Sequence, residues 1–199
     1  MILKNTAPGL RRFDLIQAFI DEYGYTRYLE LGSREGSINR INCMHKDSVD
    51  INRNENNYVM STDEFFNTIE STRQYDIIFI DANHDKEFVY RDIINSLAHL
   101  SEGGCIICHD ISPPSEMHLQ HKYCSSAWET WALLRSTRTD LEMNATLIDA
   151  VGLGIIRRGY QQLYSKQIEY TWNYLESNRH ELLHIIDEDM LEKLYFKLQ

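Results

Sequence analysis

Long apolar runs are missing from this 199-residue chain. Its opening, MILKNTAPGLRRFDLIQAFI, has no unbroken apolar stretch of signal-peptide length, and no later segment approaches the ~18 apolar residues of a spanning helix. The expectation is a cytoplasmic protein with no membrane partner. Basic charge is also short. Lys and Arg number 20 against 30 Asp and Glu, for a net charge of −10, and the cations are scattered instead of forming a stripe. That excludes the electrostatic footprint of nucleic-acid binding. Cysteine is limited to four residues. Cys105 and Cys108 have C-x-x-C spacing, but both lie in GGCIICHD, which reads as a buried strand. Residues three apart on a strand point to opposite faces, so these thiols are expected to be reduced core residues and not a metal or redox pair. Repeats, low-complexity blocks and linkers are absent too. With 43% hydrophobic residues, the chain suits one domain over 1–199 with a sizeable core.

What is present is an alternation of helical and strand patterns. Residues 10–23 place Leu10, Phe13, Ile16, Ala18 and Ile20 on an amphipathic helix ended by Gly24. RYLELG reads as a strand, 36–44 as weakly helical, and DSVDI and NYVMS as short strands. Ser61 and Glu64 have capping-box spacing ahead of Phe65, Phe66 and Ile69. YDIIFID is the clearest strand, followed by a helical face from Phe88 to Leu100 that is expected to stop at SEGG. CIICHD is the next strand, ISPPSEMHLQHKYC a loop, and Ser126 with Glu129 a second capping-box spacing before a Trp-rich helix. ATLID and GLGIIRR predict an antiparallel pair turning at 150–152, and the remaining forty or so residues read as mostly helical. The pattern predicts an α/β fold, a mostly parallel sheet with helices on both faces and a hairpin at one edge.

Ligands of such sheets bind at the carboxyl ends of strands, near the point where strand order reverses. Four clusters fall on that rim: Gly32 to Gly36, Asp50, Asp81 with His84, and His109 with Asp110. In YLELGSREGS the glycines let backbone approach a ligand and leave amides free for an anionic group. The turn is not G-x-G-x-x-G, so a pyrophosphate-binding dinucleotide turn fits poorly. Asp50, eighteen residues past Gly32, can accept both hydroxyls of a ribose. Asp63 can accept from an adenine amino group or simply cap its helix.

YLELGSREG, SVDIN, MSTDEFF, YDIIFIDANHDKEFVYRDIINSLAHLSEGGCIICHDISPP and GLGIIRRG together resemble the class I S-adenosylmethionine-dependent methyltransferases. The likeness is to the small-molecule and sugar O-methyltransferase branch with F-I-D-x-x-H and a later H-D. It covers roughly residues 25–158, leaving 159–199 as a helical extension. It implies a Rossmann-like seven-stranded sheet with an antiparallel last strand and extra C-terminal helices. It also implies S-adenosyl-L-methionine as cofactor, with Glu30, Gly32 and Gly36 at its methionine portion, Asp50 at its ribose and Asp63 at its adenine. Ser33, Arg34 and Glu35 stand where family members often have a further glycine, and Ser33 joins the cofactor set with Asp81.

Transfer of a methyl group to an alcohol needs alignment and loss of the acceptor proton, by a side-chain base or a divalent ion. Asp81, His109 and Asp110 at adjacent strand ends can converge on Mg2+ or Mn2+, as related metal-dependent O-methyltransferases place acidic or amide ligands there. His84, three residues past Asp81, is the candidate base, and Asp81 and His109 complete the catalytic set. His118 and His121 form an H-x-x-H that reads as solvated loop. Tyr160, Tyr164, Tyr170, Trp172 and Tyr174 either wall the acceptor site, meet a second subunit in a homo-oligomer, or pack onto the sheet. The expected acceptor is a small hydroxylated molecule, a carbohydrate among the options. Two alternatives stand beside this: a nucleotide-cofactor oxidoreductase, and a non-catalytic methyltransferase-like assembly partner.

Overall fold

The computed structural model describes residues 11–34, 36–53 and 57–196. Elements follow the expected alternation. Helix α1 (Arg11–Tyr23) leads to strand β1 (Arg27–Leu31), a 3-10 turn (Ser37–Arg40), β2 (His45–Asp50), β3 (Tyr58–Val59) and α2 (Thr62–Thr68). Next come β4 (Tyr75–Ile80), α3 (Lys86–Ala98), β5 (Leu100–Cys108), a 3-10 turn (Glu116–Leu119) and α4 (Ala127–Thr137). Strands β6 (Leu141–Thr146) and β7 (Leu153–Arg158) and helices α5 (Trp172–Leu183) and α6 (Glu188–Tyr195) close the chain. Among the described residues seven strands form one sheet in the order β3-β2-β1-β4-β5-β7-β6, parallel except for β7, which runs against both β5 and β6. None of their helices is long and apolar enough to cross a membrane.

Period-two alternation divides the core. Ile78 and Ile80 pack with Phe65, Val89, Ile93, Trp128 and Trp131 on the face covered by α2, α3, α4 and α5. Ile77 and Phe79 pack with Phe13, Ile16, Phe19, Leu191 and Tyr195 on the face covered by α1 and α6. Cys108 belongs to the first face and Cys105 to the second, as strand geometry requires, and all four cysteines are free. The tail aromatics divide. Tyr164 is buried and Trp172 and Tyr174 lean on the first core, while Tyr160 and Tyr170 are exposed.

Three local expectations change. Ser101–Gly104 does not end a helix but belongs to β5, where the register moves from Tyr75↔Leu100 to Ile77↔Cys105. The glycines serve a bulge, Gly103 at φ 74, and α3 ends earlier on the backbone amide of His99. The Ser61–Glu64 capping box forms. The second one does not, because Lys86 takes both partners: its amide donates to Ser126 Oγ at 2.9 Å and its Nζ to Glu129 Oε2 at 3.1 Å. The hairpin strand is LEMNAT, so of ATLID only Ala145 and Thr146 pair with β7, and residues 147–152 form the connection.

One buried group in α3 is out of balance. Asp92 is 1% exposed and its carboxylate has no well-formed hydrogen bond, the nearby Thr62 hydroxyl lowering its pKa only in part, and Ser96 Oγ one turn on has none. Burial pushes its carboxyl up to about 7. A pKa raised above the unfolded value contributes stability that is complete below ~4 and is lost as pH rises through the folded value. Asp92→Asn, which cannot ionise, is therefore expected to be more stable than wild type. Its advantage should grow by ~2–3 kcal/mol between pH 5 and pH 8. Thermal denaturation at the two pH values checks this, and an identical difference at both would show that Asp92 does not titrate between them.

Candidate active site

Strand order reverses between β1 and β4, so the loops leaving their carboxyl ends diverge and open a crevice. Hydrogen bonds tie that edge together: Gly32 N to Val49 O at 2.8 Å, Asp81 N to Leu31 O at 2.9 Å and His109 N to Ile80 O at 3.0 Å. Gly32 has φ 88, and a Cβ built on it would lie 2.2 Å from the Asp81 carbonyl oxygen. Only glycine permits this approach. Above it is a cleft of about 560 Å³ whose lining includes Gly32, Arg34, Asp50, Thr62, His84 and Lys122.

The predicted cofactor residues separate into those on the cleft and those beside or beneath it. Gly32 and Asp50 line it, and Asp50 Oδ1 accepts from the Asn52 amide at 2.7 Å. Glu30 is 1% exposed and lies outside the lining. It accepts from Tyr28 Oη at 2.9 Å and from Ser37 Oγ, and Ser37 Oγ is 3.1 Å from Ser33 Oγ. Burial raises the Glu30 pKa. Glu30 and Ser33 thus brace the turn from below, and Gly36, at φ 71, starts the 3-10 helix. Asp63 is engaged elsewhere, in a bidentate pair with Arg91 Nε at 3.0 Å and Nη2 at 2.9 Å. Its neighbours Ser61 and Thr62 line the cleft in its place.

At the other end of the cleft the ionisable residues meet. His84 Nε2 is 3.3 Å from Asp81 Oδ1 and 3.2 Å from Asp110 Oδ2. His109 Nδ1 faces the same two oxygens from the inner side, at 3.2 Å and 2.9 Å. One atom each from Asp81, His84 and Asp110 lies within 4.8 Å of the others, a spacing that can hold a metal ion. His84 thus takes the place expected of His109, whose side chain is only 9% exposed and sits behind the carboxylates. Asp110 adopts φ 62, a left-handed conformation uncommon outside glycine, which aims its carboxylate at both imidazoles.

His84 Nδ1 contacts the Tyr123 carbonyl. A carbonyl only accepts, so Nδ1 carries a proton and, in the neutral ring, Nε2 presents its lone pair to the cluster. Burial lowers the His84 pKa, and the Asp81 hydrogen bond and Asp110 charge override it to give a net rise. For His109 burial is again opposed, here by Asp81 and the facing oxygens of Asp110 and Asp149, and its pKa is raised well above the usual histidine value. Burial alone would raise Asp81 and Asp110, but His109 holds both carboxyls below the usual range.

Two members of this neighbourhood escaped the sequence reading. Asp149 Oδ1 is 3.6 Å from His109 Nε2, and Arg12 Nη1 is 3.4 Å from the same nitrogen. The only sequence sign was an aspartate just ahead of the glycine turn between β6 and β7. His118 and His121 do not converge: His118 Nδ1 meets Ser115 Oγ at 2.9 Å and His121 Nδ1 meets Asp85 Oδ1 at 3.0 Å.

A mostly parallel seven-stranded sheet with β7 antiparallel, and a cleft at its switch point, is the fold of the class I S-adenosylmethionine-dependent methyltransferases. A family model described as a methyltransferase domain matches residues 12–111, half of the chain, and the chain belongs to that family. No curated protein matches the sequence. Among solved structures it is similar to the O-methyltransferase TomG from Streptomyces achromogenes, involved in tomaymycin synthesis and in complex with SAM. The TM-score is 0.56 and the identity 15%, over 78% of this chain and 82% of that one. An O-methyltransferase from Bacillus cereus in complex with SAH aligns with TM-score 0.53 and 15% identity, over 76% and 80%. MycE, a methyltransferase of the mycinamycin pathway in complex with Mg, SAH and mycinamycin VI, aligns with TM-score 0.50 and 12% identity, over 80% and 51%. Family membership sets aside the oxidoreductase alternative.

Gly32→Ala tests the close approach on which the cleft depends. A methyl group at this left-handed position, against fixed backbone, is expected to cost ~2–5 kcal/mol. It should also remove S-adenosylhomocysteine binding in calorimetry. A variant with wild-type stability and affinity would show that β1 and β4 need not meet this way.

Proposed function

We propose that this methyltransferase moves a methyl group from S-adenosylmethionine to a hydroxyl of a small molecule. The observation that carries the reading is that one cleft is lined by Gly32 and Asp50 at one end and by His84 at the other, where Asp81 and Asp110 meet it. The cofactor supplies an electrophilic methyl on a sulfonium. Asp50, at the end of β2, is placed to accept the ribose hydroxyls, and Gly32 lets the cofactor lie against backbone. Arg34 adds positive charge to the lining and suits the carboxylate of the methionine portion. Thr62, not the Arg91-bound Asp63, faces the cleft on the side expected for adenine.

His84 is the proposed base. Its Nδ1 is anchored to the Tyr123 carbonyl, so Nε2 is the atom that takes the acceptor proton, and Asp81 and Asp110 stabilise the imidazolium that results. The same donors, two carboxylate oxygens and the His84 Nε2 nitrogen, also fit Mg2+ or Mn2+, and with an ion held there Nε2 would serve as a ligand in place of the base. A divalent ion would supply Lewis acidity that lowers the pKa of the acceptor hydroxyl. MycE, with Mg and mycinamycin VI in its structure, and TomG, involved in tomaymycin synthesis, support a natural product as the acceptor class, with a carbohydrate among the options.

Asp50→Ala is expected to weaken S-adenosylhomocysteine binding about tenfold or more without lowering Tm. Unchanged affinity in calorimetry would remove the ribose assignment. His84→Ala should slow single-turnover methyl transfer to hydroxylated acceptors by ~10²–10⁴ while cofactor affinity changes far less. A near-normal rate would remove its role as base. Mn2+ should raise the Tm of wild type and not of Asp110→Ala, and full activity after chelation would end the metal proposal. Turnover on any acceptor also separates an enzyme from a non-catalytic assembly partner.

A further inference from the structure

His109 is the inward member of the cluster, and what holds it lies outside the cleft. Its Nδ1 faces Asp110 Oδ2 and Asp81 Oδ1, the two oxygens that also face His84. An imidazole has two ring orientations related by a half-turn about its terminal torsion. Turned over, the His109 ring would present a C–H to those carboxylates, and the buried Asp110 and half-buried Asp81 would lose their inner donor at a cost of order 1–3 kcal/mol.

The other edge of the ring favours one orientation. Asp149 is 4% exposed; its Oδ1 is 3.6 Å from His109 Nε2 and its Oδ2 3.7 Å from Arg12 Nη1. Arg12 Nη1 is itself 3.4 Å from Nε2. Neither Asp149 Oδ2 nor Arg12 Nε has a hydrogen-bond partner. Asp149 Oδ1 and Arg12 Nη1 therefore flank one ring nitrogen: a protonated Nε2 donates toward Asp149, a bare one accepts from Arg12, and a ring carbon in its place does neither. Asp149 is fixed in turn. Its carbonyl accepts from Gly152 N at 3.0 Å, and the Val151 carbonyl accepts from Ser112 N at 2.9 Å. A Cβ on Gly152 would lie 2.5 Å from Ser112 Cβ, so the turn is clamped to the segment that carries Asp110.

We propose that Asp149, backed by Arg12, is a positioning residue that holds the His109 ring with Nδ1 toward Asp81 and Asp110, and through it sets the carboxylates that face His84. The catalytic consequence rests on the methyltransferase reading above; the ring-holding role does not. Asp149 binds neither cofactor nor acceptor in this scheme, since it reaches the cleft only through His109.

The test uses protein labelled with 15N-histidine, with the His109 ring signals assigned by their loss in His109→Gln. Wild type should show a protected His109 Nδ1 proton. Asp149→Leu, which removes the polar group, should lose or broaden it. Thermal unfolding of Asp149→Leu, His109→Gln and the double variant should be non-additive by ~2–4 °C, because both remove one interaction. If Asp149→Leu does not fold, Asp149→Asn and Arg12→Met supply the same comparisons. An unchanged Nδ1 signal, or strictly additive Tm losses, would overturn the proposal and leave Asp149 a packing residue. S-adenosylhomocysteine affinity of Asp149→Leu should match wild type, and an affinity loss as large as that of Asp50→Ala would place it in the cofactor site and overturn the proposal. If wild type itself binds no S-adenosylhomocysteine, the cofactor reading falls while the ring signal and the thermal cycle still decide the role of Asp149.

Discussion

The contact of Gly32 with the Asp81 carbonyl governs the site. Parallel strands β1 and β4 pair through Leu31↔Ile80, and their chains must then part to opposite sides of the sheet. With a side chain at residue 32 the two ends would be forced apart, since the space of its Cβ is filled by the Asp81 and Ala82 backbone. Because glycine closes that gap, Asp81 emerges directly beside the first turn, and the cleft and the ionisable cluster become neighbours. The bracing of Ser33 and Ser37 by Glu30 below the turn serves the same end, by holding a loop whose upper side must stay open.

The second constraint is charge. Asp81, Asp110 and Asp149 crowd three carboxylates into a largely buried volume, which is unfavourable unless cations share it. His109 and Arg12 supply them from the inner side, and His84 stands on the outer side where protons and ligands exchange. The arrangement divides labour between two histidines of the same rim. One is largely buried and held from both nitrogens by groups behind the cleft; the other is anchored at Nδ1 to a carbonyl and keeps Nε2, beside Asp81 and Asp110, on the cleft. Exposure, not residue type, separates a group that can exchange a proton with an acceptor from one that orients its neighbours.

The legibility of the sequence varied with the range of the interaction. Alternation of strand and helix patterns identified nearly every element, and the Ser61–Glu64 box formed because its partners are three residues apart and depend on nothing else. The same spacing at Ser126 and Glu129 failed because Lys86, forty residues earlier in the chain, takes both side chains. SEGG looked like a helix stop because glycine serves caps and bulges alike, and only pairing with β4 reveals which one it makes. Asp63 illustrates the point within the site: its place beside Ser61 was right for the cleft, but Arg91 claims its carboxylate.

From the sequence alone came the sheet class, the rim on which chemistry gathers, and the positions of Gly32, Asp50, Asp81, His84, His109 and Asp110 on that rim. These follow from periodicity and from strand ends, which are properties of neighbouring residues. Tertiary structure alone decided that His84 and not His109 faces the cleft, that Glu30 lies beneath it, and that Asp149 and Arg12 stand behind the cluster. The physical reason is that pairing between side chains depends on distance in space, which local pattern does not encode. Arg12, His109 and Asp149 come from α1, the end of β5 and the β6–β7 turn, and they meet only once the sheet has formed.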